Sequence, residues 1–231
     1  MSVRLMLVRH GRVDFEDKGF RDARRGPQWD PPLDATGREQ AAKLAARLAS
    51  VDPPAAVYVS PFRRCLETVR PYTDATGIQA EVVEDLREVF VGAWEGVRFE
   101  DLISDHEELI RRRVDDHEPL YNLAPGAETC AELRRRVVPV VERLISSVAV
   151  SAGGTDASLL LVTHGGVINA YLGHVLGLSQ DMFFFPENCS ISVVDVEGDA
   201  RRIRFLNDVA HLWYPVLWHR ERVEGRDRPE A

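Results

Sequence analysis

The chain opens on Val3-Arg4-Leu5-Met6-Leu7-Val8. This run is almost unbroken in apolar, β-favouring residues, which predicts a buried strand. It stops abruptly at Arg9-His10-Gly11. Further apolar runs of strand length are Ala56–Val59, ending at Ser60-Pro61, then Ala80–Val83, and Ala157–Val162, ending at Thr163-His164-Gly165-Gly166. Between them the spacing of apolar positions changes to that of helices. Leu33-Asp34-Ala35-Thr36-Gly37 opens one helix, with Ala41, Leu44, Ala45 and Leu48 on a single face. Phe62 to Thr76 forms a second, closed by Gly77, and Ala127 to about Val150 a long one with a kink expected at Pro139. Gly165 and Gly166 start a fourth that runs to Leu176, and Cys189–Val196 with Arg201–Leu206 predict a hairpin about Gly198.

The stretches between these elements are polar or irregular. Arg12 to Pro32 reads as a long, charged loop carrying Phe15, Phe20 and Trp29, and loops of that length serve function more often than not. Leu86 to Gly96 is irregular, Phe99 to His117 is a charged helix, Pro119 to Gly126 is a loop, and Ser151 to Asp156 is a Gly/Ser turn. The Phe99–Thr129 stretch is expected to form a helical cap beside the site, and the charged tail Arg220–Ala231 to fray. Strands alternating with helices predict a three-layer α/β/α sandwich around a mostly parallel sheet. With 231 residues the chain is expected to form a single domain over 1–231.

Composition narrows the function classes. The net charge of −8 supplies no basic field for nucleic acid or an anionic membrane, so an anion site here must be a local cationic pocket. No apolar run reaches membrane-spanning length. Cys65, Cys130 and Cys189 are scattered, with neither a disulfide framework nor metal-ligand spacing. The amino terminus lacks the long apolar core of a signal peptide. A cytoplasmic setting with reduced thiols is therefore expected.

The chemistry sits at the strand ends. In open α/β sheets ligands bind outside the carboxyl ends of the strands. Three strands end there in Arg9-His10-Gly11, in Ser60 with Arg64 one helical turn on, and in Thr163-His164-Gly165. A glycine-rich helix start offers unpaired N–H groups to an anion. Two arginines, two histidines and a helix amino terminus form a pocket for a dianionic phosphate.

In this order and spacing the motifs resemble the histidine phosphatase superfamily, with its phosphoglycerate mutase-like fold. The resemblance runs through Arg9-His10-Gly11, Asp30-Pro31-Pro32-Leu33, Thr36-Gly37, Gln40-Ala41 and Ser60 to Thr68. It continues through Leu86-Arg87-Glu88, Gly92 to Gly96, Pro125 to Thr129, Val162 to Gly166 and Asn207 to Leu212. It implies His10 as nucleophile through a phosphohistidine, and Glu88 as the acid for the leaving alkoxide and then the base for water. It also implies Arg9, Arg64, His164 and the Gly165 amide as phosphate binders, with no metal or other cofactor. After Arg-His-Gly many members carry Glu or Gln, then Ser or Thr. Here Arg12 and Val13 stand instead, so a hydroxyl contact is missing and Arg12 is expected to add a cation to the pocket. Gly92-Ala93-Trp94-Glu95-Gly96 resembles the phosphatase branch more than the true mutases.

The expectation is thus a metal-independent hydrolase of a small phosphate monoester. A phosphoglycerate-type mutase is the alternative within the class, and a non-catalytic phospho-ligand sensor or repurposed site the alternative outside it. His106 and His117 among neighbouring acids read as a solvated helix face, their spacing matching no metal motif. Arg134-Arg135-Arg136 reads likewise as a charged solvent face. Trp213, Tyr214 and Trp218 are expected to pack on the core or to form a homodimer contact.

Overall fold

The computed structural model describes residues 2–97, 101, 108, 111, 122, 124–179 and 182–213. Its centre is a six-stranded sheet in the order β5-β4-β6-β1-β7-β8. The strands are β1 (Val3–Arg9), β4 (Ala56–Val59), β5 (Ala80–Val82), β6 (Ala157–Thr163), β7 (Ile191–Glu197) and β8 (Ala200–Asp208). β1, β6, β4 and β5 pair in parallel, and the β7–β8 hairpin adds two antiparallel strands beside β1. The sheet is mostly parallel, as expected.

Alternation along β1 explains the layers. Val3, Leu5 and Leu7 face one way, into a core completed by α3 (Cys130–Ser151) and α4 (Gly165–Val175). Met6 and Val8 face the other, toward α1 (Ala35–Ala49) and α2 (Arg63–Thr76). A central strand buried on both sides needs apolar residues at both parities, which is why β1 and β6 lack a polar face. The three-layer α/β/α sandwich follows.

Boundaries differ from the sequence expectation where capping decides them. The long helix starts at Cys130, not Ala127, because Thr129 and Glu132 form a capping box in which each side chain receives the other's backbone N–H. It runs continuously through Pro139. α1 starts after Asp34, whose carboxylate accepts from the Gly37 amide at 2.7 Å. The Arg12–Pro32 stretch is not structureless: β2 (Phe20–Arg21) and β3 (Gln28–Trp29) form a small antiparallel ribbon, and Val13 bridges to Leu33. Most of the expected Phe99–Thr129 cap, His106, His117, Tyr214, Trp218 and the tail lie outside the described residues.

Gly11 and Gly37 interlock. A Cβ on Gly11 would lie 2.8 Å from the Gly37 carbonyl oxygen, and one on Gly37 would run into the Arg12 carbonyl. Only a side-chain-free pair lets the end of β1 pass this close to the start of α1.

Candidate active site

The parallel register aligns three strand ends. Arg9 pairs with Thr163 across β1 and β6, and Val162 pairs with Val59 across β6 and β4. His10, His164 and Ser60 therefore emerge side by side. The His10 and His164 rings sit edge to face, with centroids 5.2 Å apart.

His10 is buried, and its Nδ1 lies 2.8 Å from its neighbour Gly11's carbonyl oxygen. A carbonyl only accepts, so Nδ1 carries the proton and Nε2 keeps its lone pair. Burial, then the Arg64 and Arg9 charges, push the His10 pKa well below the ordinary imidazole value, overriding the opposing pull of the Gly11 carbonyl. The ring is neutral, with a lone pair at Nε2.

His164 is held differently. Arg64 Nε donates to its Nδ1 at 3.3 Å, and its Nε2 is 2.7 Å from Ser60 Oγ. Arginine only donates, so Nδ1 accepts and the proton sits on Nε2, given to Ser60. Burial and Arg64 lower its pKa as well. This neutral ring aligns the Arg64 guanidinium, whose Nη1 also donates to the Trp29 carbonyl at 3.1 Å and lies 3.8 Å from Asp30.

A strap folds back over the end of β1. Arg9 Nη1 donates to the Pro186 carbonyl at 2.5 Å, Asn188 Nδ2 donates to the His10 carbonyl at 3.0 Å, and the Cys189 amide reaches the Arg9 carbonyl at 3.0 Å. Cys189 adopts φ 56° to do so, a left-handed backbone unusual for a residue with a side chain. Asn169 ties the strap to α4, bonding the carbonyls of Gly165 and Phe184 and the amides of Phe183 and Phe184. Gly165 lies against Arg9: a Cβ there would be 3.8 Å from its Nε.

Glu88 reaches the same helix start. One carboxylate oxygen accepts from the Gly166 amide at 3.3 Å and the other from the Val89 amide at 2.9 Å. The structure thus gathers His10, Arg9, Arg64, His164, Gly165 and Glu88 at one edge of the sheet.

Arg12 is not gathered there. Its Nε is 2.5 Å from Asp34 and its Nη2 2.8 Å from Thr36 Oγ1, at the exposed start of α1. The close Gly11–Gly37 passage brings the cation to the capping carboxylate, which binds it. Arg136 departs from expectation too, being buried with Glu128 instead of facing solvent. Sequence reading gave no role to Thr68, which accepts from the Gly11 amide at 2.9 Å, or to Asn169. The available signal for Asn169 was an amide inside the otherwise apolar helix Gly165–Val175. No group of three or more His, Cys, Asp or Glu among the described residues is arranged to hold a metal ion.

A model of the histidine phosphatase superfamily, branch 1, matches residues 5–209. The chain belongs to this superfamily. It is 32% identical over 188 residues to the glucosyl-3-phosphoglycerate phosphatase of Mycolicibacterium vanbaalenii, covering 77% of this chain and 76% of that protein. It is 28% identical over 212 residues to phosphoserine phosphatase 1 of Hydrogenobacter thermophilus, covering 91% of this chain and 94% of that one. The solved structure of a mycobacterial glucosyl-3-phosphoglycerate phosphatase superposes with a TM-score of 0.73 at 26% identity, over 90% of this chain and 99% of that one. A longer Mycobacterium tuberculosis bifunctional protein matches at 29% identity over 212 residues, and the chain spans 55% of its length.

Proposed function

We propose that this protein hydrolyses a small phosphate monoester by passing the phosphoryl group through His10. The observation that carries the reading is the open Nε2 lone pair of a neutral, buried His10 whose other nitrogen is locked to the Gly11 carbonyl. Nε2 attacks phosphorus in line while the bond to the leaving oxygen breaks. Glu88, in its protonated form, gives that oxygen a proton. The resulting carboxylate then takes a proton from water, the water oxygen attacks phosphorus, and the P–N bond breaks to restore neutral His10.

The charge of the transferring group is met by fixed donors, the largest source of catalysis in phosphoryl transfer. Arg9 and Arg64 supply full positive charge and the start of α4 supplies amides. His164, neutral, contributes by aiming Arg64. No step is routed through a metal, because these groups already provide the neutralisation. The relatives named phosphoserine phosphatase and glucosyl-3-phosphoglycerate phosphatase support a small phosphorylated metabolite as the substrate. The β2–β3 ribbon selects the leaving group in this reading. Three buried cysteines that form no disulfide among the described residues support a reducing, cytoplasmic setting, and among the described residues no helix is long and apolar enough to cross a membrane.

The test is phosphate release, with EDTA present, from a panel of phosphorylated sugars, glycerates, nucleotides and amino acids. Mass spectrometry of the acid-protected, rapidly quenched enzyme accompanies it. Turnover of one compound far above the others, with a phosphate adduct on His10, is the expected result. A folded protein that releases phosphate from no compound and carries no adduct overturns the reading.

A further inference from the structure

We propose that Arg136, locked to Glu128, is the positioning residue that holds Glu88 at the catalytic edge. The inference rests on the acid role assigned to Glu88 above. Its starting point is that Glu88 belongs to no strand or helix. The chain leaves β5 at Val82, makes one 3-10 turn over Glu84–Leu86, and is irregular until Gly92. Sheet hydrogen bonds therefore do not set the height of Glu88 above the pocket.

Side chains do that instead. Arg136 Nη1 donates to the carbonyls of Asp85 at 2.7 Å and Arg87 at 3.0 Å, and Nη2 reaches the Glu88 carbonyl at 3.5 Å. The rest of the guanidinium forks onto Glu128, Nε to Oε1 at 2.8 Å and Nη2 to Oε2 at 2.6 Å. Five N–H groups thus meet five acceptors, the full capacity of an arginine. Glu128 holds the far side of the segment: its carboxylate accepts from the Phe90 amide at 3.4 Å, and its own amide donates to the Phe90 carbonyl at 2.7 Å. Thr163, beside His164, closes the clamp with a 2.8 Å bond to the Leu86 carbonyl.

Both charged side chains are nearly sealed from water, at 9% and 2% exposure. Replacing a buried pair of this kind by apolar packing is often neutral, so its stability contribution alone does not account for it. What it does here is fix three carbonyls, those of Asp85, Arg87 and Glu88, in the segment that carries the acid. The capping box at Thr129 sets where α3 begins, and hence the turn on which Arg136 is presented.

The test compares p-nitrophenyl phosphate with phenyl phosphate, which are alike in shape but differ in how much the leaving oxygen needs a proton. The readout is kcat/KM, which reports steps up to phosphoryl transfer. Arg136→Lys keeps the charge beside Glu128 but brings three donors to five acceptors. It is expected to lower kcat/KM on phenyl phosphate by about 100-fold, the low end of what a positioned acid supplies, and on p-nitrophenyl phosphate by less than about threefold. Glu88→Gln is expected to show the same selectivity, and the double variant to be no slower than Glu88→Gln alone, because the two residues act as one unit.

If Arg136→Lys does not fold by circular dichroism, Glu128→Asp, which keeps a carboxylate beside Arg136 but shortens its reach by one methylene, carries the same comparison. A selective Glu88→Gln together with unselective or additive losses from the clamp variant overturns the positioning role and leaves the acid role standing. An unselective Glu88→Gln overturns both.

Discussion

β1 and β6 lie side by side in register and both end in His-Gly, yet the two imidazoles are wired oppositely. His10 donates from Nδ1 to a backbone carbonyl, so its second nitrogen faces the pocket as an open lone pair. His164 accepts at Nδ1 from Arg64 and donates at Nε2 to Ser60, so both nitrogens are engaged. In the proposed reaction the same residue type at equivalent strand ends serves as nucleophile in one place and as aligning group in the other. Protonation state does not distinguish them, since burial and arginines keep both neutral. The partner of Nδ1 does: a carbonyl forces a proton onto it and an arginine forbids one.

The largest effect that would break this comparison is loss of the nucleophile. His10→Ala is expected to cut turnover on the order of 10⁶-fold, the scale of deleting a catalytic nucleophile, and to abolish the phosphoenzyme seen with labelled substrate. His164→Ala is expected to cost about 10²- to 10³-fold, the scale of losing one preorganised charge-stabilising group, while still forming labelled enzyme. Label on His164→Ala and none on His10→Ala sustains the assignment, and the reverse pattern exchanges the two roles.

Acidity sharpens it next. With the folded pKa of His10 lowered, the free Nε2 survives to a pH below the ordinary value of about 6.5 and is lost only as pH falls through the folded pKa. The acid limb of kcat/KM is therefore expected below about pH 6.5, falling tenfold per unit. A limb above that value contradicts a buried neutral nucleophile. Stability shares the sign. Below about pH 6.5 the unfolded chain binds protons that folded His10 and His164 refuse, so the thermal midpoint is expected to drop on acidification through that window. Mutating both to Asn removes that part of the slope.

The smallest effect concerns Ser60. Ser60→Ala leaves the His164 Nε2–H buried without its acceptor and is expected to destabilise the fold by about 1–3 kcal/mol. Because Arg64 still fixes Nδ1, kcat/KM is expected to fall less than about tenfold, a change worth up to about 1.4 kcal/mol in the barrier. A loss as large as that of His164→Ala makes Ser60 a direct phosphate ligand instead.

Arg12 shows where motif reading went astray. Its position three residues after Arg9 suggested a pocket cation, but reach is set by what the chain passes on the way, and Asp34 is met first. Arg136 erred the other way. In a run of three arginines the solvent face is the common reading, but the buried Glu128, eight residues earlier, draws Arg136 inward and the Leu178 carbonyl draws Arg134. Local patterns carry no information on which of several identical charges finds a buried partner.

By itself the sequence determined the layers, the mostly parallel sheet and the strand-end positions of His10, Ser60 and His164. These follow from apolar periodicity and from glycine punctuation, which are local properties of the chain. Glu88 was legible only through the motif around it. Tertiary structure alone decided which imidazole nitrogen stays free, that Arg12 pairs with the capping Asp34, that Cys189 and Asn188 strap the end of β1, and that Arg136 and Glu128 hold the segment carrying Glu88. Apart from the bond of His10 to its neighbour Gly11, each of these depends on a hydrogen-bond partner distant in sequence. Such pairings arise only when packing has excluded water and left one acceptor within reach of each donor.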